Sequence, residues 1–269
     1  MEKADQYLEI NKAAWNKKVQ VHMNSSFYDH ENFLKGKQSL KEIELNLLGD
    51  VKGKKILHLQ CHFGQDTISL ARMGAEVTGV DFSETAIDTA IQTAKMLNLD
   101  VQFICCDVYQ LHEKLNETFD VVFATYGTIG WLPDMERWAK TIDAFLKPGG
   151  RLIFAEFHPT VWMMNDEFTK ISYSYFNTGA IVESYTGSYA DKKADLNEEY
   201  VMWNHSISEV LRGLISRGLQ ITFFDEYDFS PYPCFSNVVE VEPEKFMIQG
   251  LEKKLPMVYA FIAEKKHSL

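Results

Sequence analysis

An acid that closes an apolar run, with a glycine 17 residues before it (81 − 64 = 17) and a short helix between, is the part of this 269-residue chain best suited to chemistry. Residues 56–81 read ILHLQCHFGQDTISLARMGAEVTGVD. Apolar Ile56, Leu57 and Leu59 lead into a loop around Gly64, an amphipathic segment follows, and a second apolar run stops on Asp81. The pattern predicts a strand, a tight turn, a helix and a second strand. Such a βα unit builds a nucleotide-sized crevice at the carboxyl ends of its strands, where the terminal acid can accept two ribose hydroxyls. The 17-residue separation is close to the roughly 20 residues usual for a ribose-binding acid.

The loop itself narrows the choice of ligand. A diphosphate-binding turn needs three glycines so that the backbone can approach the phosphates. Here Gln60, Cys61, His62 and Phe63 precede a single glycine, Gly64, and Asp66 stands where the helix begins. A carboxylate there repels a diphosphate resting on the helix start and suits a positive centre such as the ammonium of a methionine moiety. A nicotinamide-dinucleotide oxidoreductase is the weaker alternative, and a non-catalytic nucleoside-binding module is another. No G-x-S-x-G elbow and no phosphate-binding G-x-x-x-x-G-K loop occurs, so hydrolase and P-loop readings lack support. His58 and His62 straddle a strand and a turn rather than one helix face, so no metal site is expected.

On these residues the chain resembles the class I S-adenosylmethionine-dependent methyltransferases, most closely a small-molecule branch with an HLQCHFGQDT-type loop. Laid on the family's acid-x-Gly-x-Gly-x-Gly motif, His58 takes the acid position, Gln60 and His62 the first two glycines, and Gly64 the third. The resemblance implies that Asp66 substitutes for the missing acid toward the methionine amino group. It also implies that Asp81 holds the ribose, that Phe82 lies against the adenine, and that Asp107, with the Val108 backbone beside it, takes the adenine amino group. Thr125 and Tyr126 follow the fourth apolar run, and Leu146-Lys147-Pro148-Gly149-Gly150 resembles the family's turn into the fifth strand. The cofactor implied is S-adenosyl-L-methionine. The fold implied is a doubly wound, Rossmann-like α/β sheet of seven strands, the last antiparallel. The reaction implied is in-line methyl transfer to N, O, S or C of a small molecule.

Acceptor-side candidates follow from position. His158 comes directly after the fifth apolar run, so it and His22 are the candidates for a general base. Tyr126 is a candidate to approach the sulfonium, since a positive charge favours aromatic faces. Trp15, Trp131 and His158 are the candidates to line the substrate pocket; packing is the competing reading for each. Glu156 is read as a structural strand acid.

Positioning elements fall into four stretches. Residues 1–50 read as a helical cap, with Tyr7, Ile10, Ala14 and Trp15 on one face and Leu40, Ile43 and Leu47 on another. Residues 51–159 form the alternating cofactor-binding core. Residues 160–204 are rich in Tyr, Ser and Thr, which predicts an inserted β-hairpin region or lid followed by a charged loop at 191–200. Residues 205–269 return to the core through a helix ending near Gly218 and strands at 220–224 and 258–263. The net charge of −11 disfavours a nucleic-acid partner. No apolar run approaches a membrane span, and the start shows no signal peptide. Cys61, Cys105, Cys106 and Cys234 lack C-x-x-C spacing, so reduced thiols in a cytoplasm are expected. The acids Glu183, Asp191, Asp195, Glu198 and Glu199 of the insertion read as a solvated face.

Overall fold

Apolar runs that alternate with amphipathic segments bury best as parallel strands covered on both faces by helices. The computed structural model, which describes residues 6–267, shows that arrangement. Residues 1–5 of the expected cap and 268–269 of the last stretch lie outside the described residues. The chain runs α1 (Tyr7–Met23), α2 (His30–Leu34), α3 (Glu42–Leu48), β1 (Lys55–Leu59), α4 (Gln65–Arg72), β2 (Glu76–Asp81), α5 (Glu84–Met96) and β3 (Gln102–Cys105). It continues through β4 (Phe119–Thr125), α6 (Met135–Phe145), β5 (Leu146–Phe157) and α7 (Pro159–Trp162). Then come β6 (Ile181–Thr186), β7 (Asn197–Met202), α8 (Ile207–Ser216), β8 (Leu219–Tyr227), β9 (Val238–Glu242), β10 (Lys245–Ile248) and β11 (Val258–Lys265).

Seven strands make one sheet in the order β3-β2-β1-β4-β5-β11-β8. Pairings from β3 to β5 are parallel, and β11 is antiparallel to both its neighbours. Strand order reverses between β1 and β4, which opens a crevice beyond their carboxyl ends. Helix starts are fixed by side chains that accept otherwise unpaired backbone N–H groups. Ser83 caps α5 through Ala86 N, Asp134 caps α6 through Glu136 N and Arg137 N, and Ser206 caps α8 through Glu209 N. Under α6 and α8, Trp138 is fully buried with its ring edge-on to Phe154 at 5.4 Å.

Two additions to the sheet frame the crevice. The β6–β7 hairpin uses Asn197–Met202 as a strand, so the expected charged loop at 191–200 is strand over its last residues. A second hairpin, β9–β10, was not expected, although Val238, Val239 and Val241 carry the β-branched character of a strand. Helix α1 turns inward a more polar face than its apolar residues predict: Asn11, Lys18 and His22 are buried alongside Ala14 and Val19. Asn11 fixes this orientation by pairing with the Val201 backbone of β7, donating to its carbonyl at 2.8 Å and accepting its N–H at 2.9 Å. No helix among the described residues is long and apolar enough to cross a membrane.

Candidate active site

At the end of β1 the backbone twists into left-handed conformations, at Gln60 (φ 55°), His62 (φ 50°) and Gly64 (φ 79°). The two side-chain-bearing residues therefore keep the backbone shape of glycines, at a cost of roughly 1–3 kcal/mol each. Gly64 is required for packing: a Cβ there would lie 2.8 Å from the Phe103 ring and 2.9 Å from Ala90 Cβ. This twist aims the His62 N–H at Asp81 Oδ2 (2.8 Å), while Ser83 N donates to Oδ1 (2.9 Å). Each Asp81 oxygen thus holds one backbone donor and keeps a further lone pair. Burial pushes this carboxyl from 3.8 up to about 6, against the pull of those N–H groups. At the next strand end, Asp107 caps a short 3₁₀ turn by accepting Tyr109 N at 3.0 Å, and burial raises its carboxyl also.

Two adjoining cavities share Gln60, Asp81, Phe82 and Trp131. The first is a slot of about 20 Å³ between Asp81, Asp107 and Val108 on the core side and Tyr7, Leu8 and Asn11 of α1. It has room for one or two waters. The second is a chamber of about 810 Å³ whose wall includes His62, Gly64, Asp66, Thr125 and Tyr126. Every residue proposed from sequence for the cofactor lines one or both cavities. Gln60 donates to Thr128 O at 2.8 Å, and its Oε1 is buried with no partner among the described residues.

The chamber is held open by a buried acid. Glu156, 2% exposed at the end of β5, accepts from the backbone N–H of Gly127, of Thr128 (2.7 Å), of Ile129 (3.3 Å) and of Phe157 (2.8 Å), and from the Thr128 hydroxyl (3.0 Å). The loop after β4 is pinned by these bonds. It carries Tyr126, in a left-handed conformation (φ 42°), and Trp131, whose indole N–H donates to Gly127 O at 2.7 Å. The Tyr126 hydroxyl donates to Glu44 of α3 at 2.9 Å. Burial, with the charge of nearby Asp66, pushes the Glu44 carboxyl up to about 7.

Both candidate histidine bases are engaged by other side chains. His158 lines neither cavity. It caps α7, and its ring nitrogens lie 2.8 Å from the Thr160 hydroxyl and from Glu226 of β8. Following a strand placed it at the correct edge of the sheet, but its side chain turns toward the neighbouring strand. His22 is fully buried behind the chamber wall, with Nδ1 2.9 Å from His62 Nε2 and Nε2 2.7 Å from the Ser188 hydroxyl. Burial, with the Lys18 charge beside it, holds His22 down to about 3. A neutral ring with both nitrogens engaged is a structural link between α1 and the loops. Trp15 and Trp131 do line the chamber, with ring centroids 5.3 Å apart.

Four chamber-region residues escape a sequence reading: Lys18, Glu44, Tyr189 and Tyr200. Lys18 had a usable signal, since it lies three residues after Trp15 and four before His22, on the same face of α1. Glu44 had a weaker one, an acid within the apolar face of Leu40, Ile43 and Leu47.

Residues 56–150 match the sequence profile of a methyltransferase domain family. A ubiquinone biosynthesis O-methyltransferase of Coxiella burnetii is 36% identical over 116 residues, 43% of this chain and 48% of that protein, so the chain spans about half the length of the curated relatives it matches. A methyltransferase of Bacillus subtilis, YbaJ, whose function is uncharacterized, is 24% identical over 234 residues, 80% of this chain and 89% of that one. Among solved structures, a geranyl diphosphate C-methyltransferase from Streptomyces coelicolor, in complex with Mg²⁺, geranyl diphosphate and S-adenosyl-L-homocysteine, shares the fold. Its TM-score is 0.59 at 16% identity, covering 96% of this chain and 97% of that one. Asp66 lies in the first turn of α4, where a diphosphate would rest, which disfavours the dinucleotide alternative. With the seven-stranded sheet and the acids at the ends of β2 and β3 in place, residues 56–150 of this chain are similar to a methyltransferase domain, and the fold is one shared with solved S-adenosylmethionine-dependent methyltransferases.

Proposed function

We propose that the chain binds S-adenosyl-L-methionine across the two cavities and methylates a small molecule in the larger one. The observation that carries this is the pairing of Asp81 and Asp107 along one slot with the unpartnered, buried Oε1 of Gln60 at its junction with the chamber. These groups fit the cofactor's polar atoms: carboxylates for ribose hydroxyls and an adenine amino group, an amide oxygen for an ammonium. The bound cofactor supplies an electrophilic methyl on a positively charged sulfur.

What the chain contributes is placement. Asp81, organised by two backbone donors, orients the ribose, and Asp107 fixes the base. Tyr7 and Leu8 cover the slot and must swing aside to admit an adenine, which makes α1 a closing element. The aromatic wall excludes water, so that alignment of donor and acceptor supplies much of the acceleration. Where the acceptor sheds a proton, the Tyr126–Glu44 pair is suited to receive it, because Glu44 at about 7 accepts a proton near neutrality and Tyr126 lines the chamber. The net charge of −11 supports a small molecule over a nucleic acid, and the four free thiols support a reducing, cytoplasmic setting.

Calorimetric titration with S-adenosylmethionine, S-adenosylhomocysteine and NADH tests the reading. Micromolar binding of both adenosyl ligands with none of NADH is expected. Binding of NADH alone overturns it.

A further inference from the structure

Lys18 is only 5% exposed, and among the described residues the one charge that acts on its ammonium is Glu198, which is itself paired with Lys17. Its neighbours are rings: it lies 4.2 Å from the centroid of Tyr200, 4.6 Å from Trp15, 5.8 Å from Trp131 and 5.9 Å from Tyr189. Lys18 and all four rings line the 810 Å³ chamber. Two buried groups on this wall, the indole N–H of Trp15 and the hydroxyl of Tyr200, lack partners among the described residues. Aromatic faces offset part of the cost of a buried cation. They offer nothing to an N–H or O–H donor in the ring plane. A buried cation that shares one wall with two unpartnered donors calls for a ligand that brings acceptor oxygens and negative charge.

The origin of these groups assigns the ligand. Trp15 and Lys18 come from α1, Tyr189 from the turn between β6 and β7, and Tyr200 from β7, all outside the matched residues 56–150; of the four rings Trp131 alone lies within them. The groups suited to the cofactor, Gln60, Asp81 and Asp107, lie within them. We propose that Lys18, with the Trp15 indole and the Tyr200 hydroxyl, recognises an anionic group, a carboxylate or phenolate, on an aromatic acceptor whose ring stacks in the cage. This deepens the proposed methyl transfer and rests on it for the word acceptor, but the anion site itself stands on the cage geometry.

Ionisable groups face Lys18 from each element packed around it: Glu198 and Tyr200 on β7, Tyr189 in the preceding turn, His22 on α1 and His62 after β1. Glu198 is committed to Lys17 at 2.8 Å, and both histidines are held neutral by burial. Burial pulls Lys18 down from 10.5 to about 8. Anion affinity must therefore fall about tenfold per pH unit above 8, because the anion binds only the ammonium.

The test uses benzoate, with benzamide as its neutral isostere, followed by tryptophan fluorescence with and without S-adenosylhomocysteine. Benzoate is expected to bind saturably and benzamide at least tenfold more weakly. Lys18→Met should weaken benzoate at least tenfold and leave S-adenosylhomocysteine within threefold, while Lys18→Arg retains benzoate binding. Equal binding of benzoate and benzamide, no saturable benzoate binding, or undiminished benzoate binding by Lys18→Met overturns the proposal. Loss of S-adenosylhomocysteine affinity in Lys18→Met also overturns it, by assigning the cation to the methionine carboxylate instead. If the parent protein binds benzoate through Lys18 but neither adenosyl ligand, the anion site stands and the methyltransferase reading falls.

Discussion

Replacing Asp81 with alanine separates its binding role from its structural one, because the two depend on pH differently. The carboxylate would accept two ribose hydroxyls on its remaining lone pairs, and each charge-assisted bond contributes roughly 1.5–3 kcal/mol. Loss of both therefore weakens S-adenosylhomocysteine by at least about a hundredfold. The fold feels two opposing changes. The N–H groups of His62 and Ser83 lose their acceptor, at about 1–3 kcal/mol each. Against that, a buried carboxylate raised from 3.8 to about 6 costs the folded state up to roughly 3 kcal/mol once ionised. The cost is absent below pH 4, where both states are protonated, and complete above pH 6. Asp81→Ala should thus be markedly less stable than the parent at pH 4 and closer to it at pH 8. Calorimetric titration at pH 8 and urea denaturation at both pH values measure the two effects. A folded variant that binds S-adenosylhomocysteine within threefold of the parent would refute the ribose assignment. A stability difference that does not narrow from pH 4 to pH 8 would refute the electrostatic reasoning.

Glu156→Ala strands the four backbone donors and the Thr128 hydroxyl that converge on it. It should cost about 3–5 kcal/mol by chemical denaturation, and a loss below 1 kcal/mol would show that the loop after β4 is held by other contacts. Glu44, raised from 4.5 to about 7, contributes stability that is complete below pH 4.5 and lost as pH climbs through 7. Glu44→Gln should therefore melt higher than the parent at pH 8, by roughly 1–2 kcal/mol, and not at pH 4.5; parallel pH profiles of melting temperature would rule this out. Hydrogen exchange with S-adenosylhomocysteine should protect α1 together with the segments around Gly64, Asp81 and Asp107, since Tyr7 and Leu8 must reclose over the slot. Unchanged exchange in α1 would leave that helix as passive packing.

Sequence periodicity by itself determined the core. Buried parallel strands must be nearly continuous apolar runs and their covering helices amphipathic, so β1, β2, β4 and α5 were legible residue by residue. Asp81 was legible too, because an acid that ends such a run can only sit at the sheet's carboxyl edge. Tertiary structure alone decided where side chains off that pattern point. His158 and His22 had the chemistry of bases, but the approach of Glu226 from β8 and of His62 and Ser188 from loops closed both rings into structural hydrogen bonds. Lys18 carried no reading from the sequence; β7, fixed to α1 through Asn11 and Val201, lays Tyr200 over its ammonium. Those contacts join residues up to 190 positions apart. Local propensity carries no information about them, because the free energy that selects them comes from burying one polar face against another that the chain supplies much later.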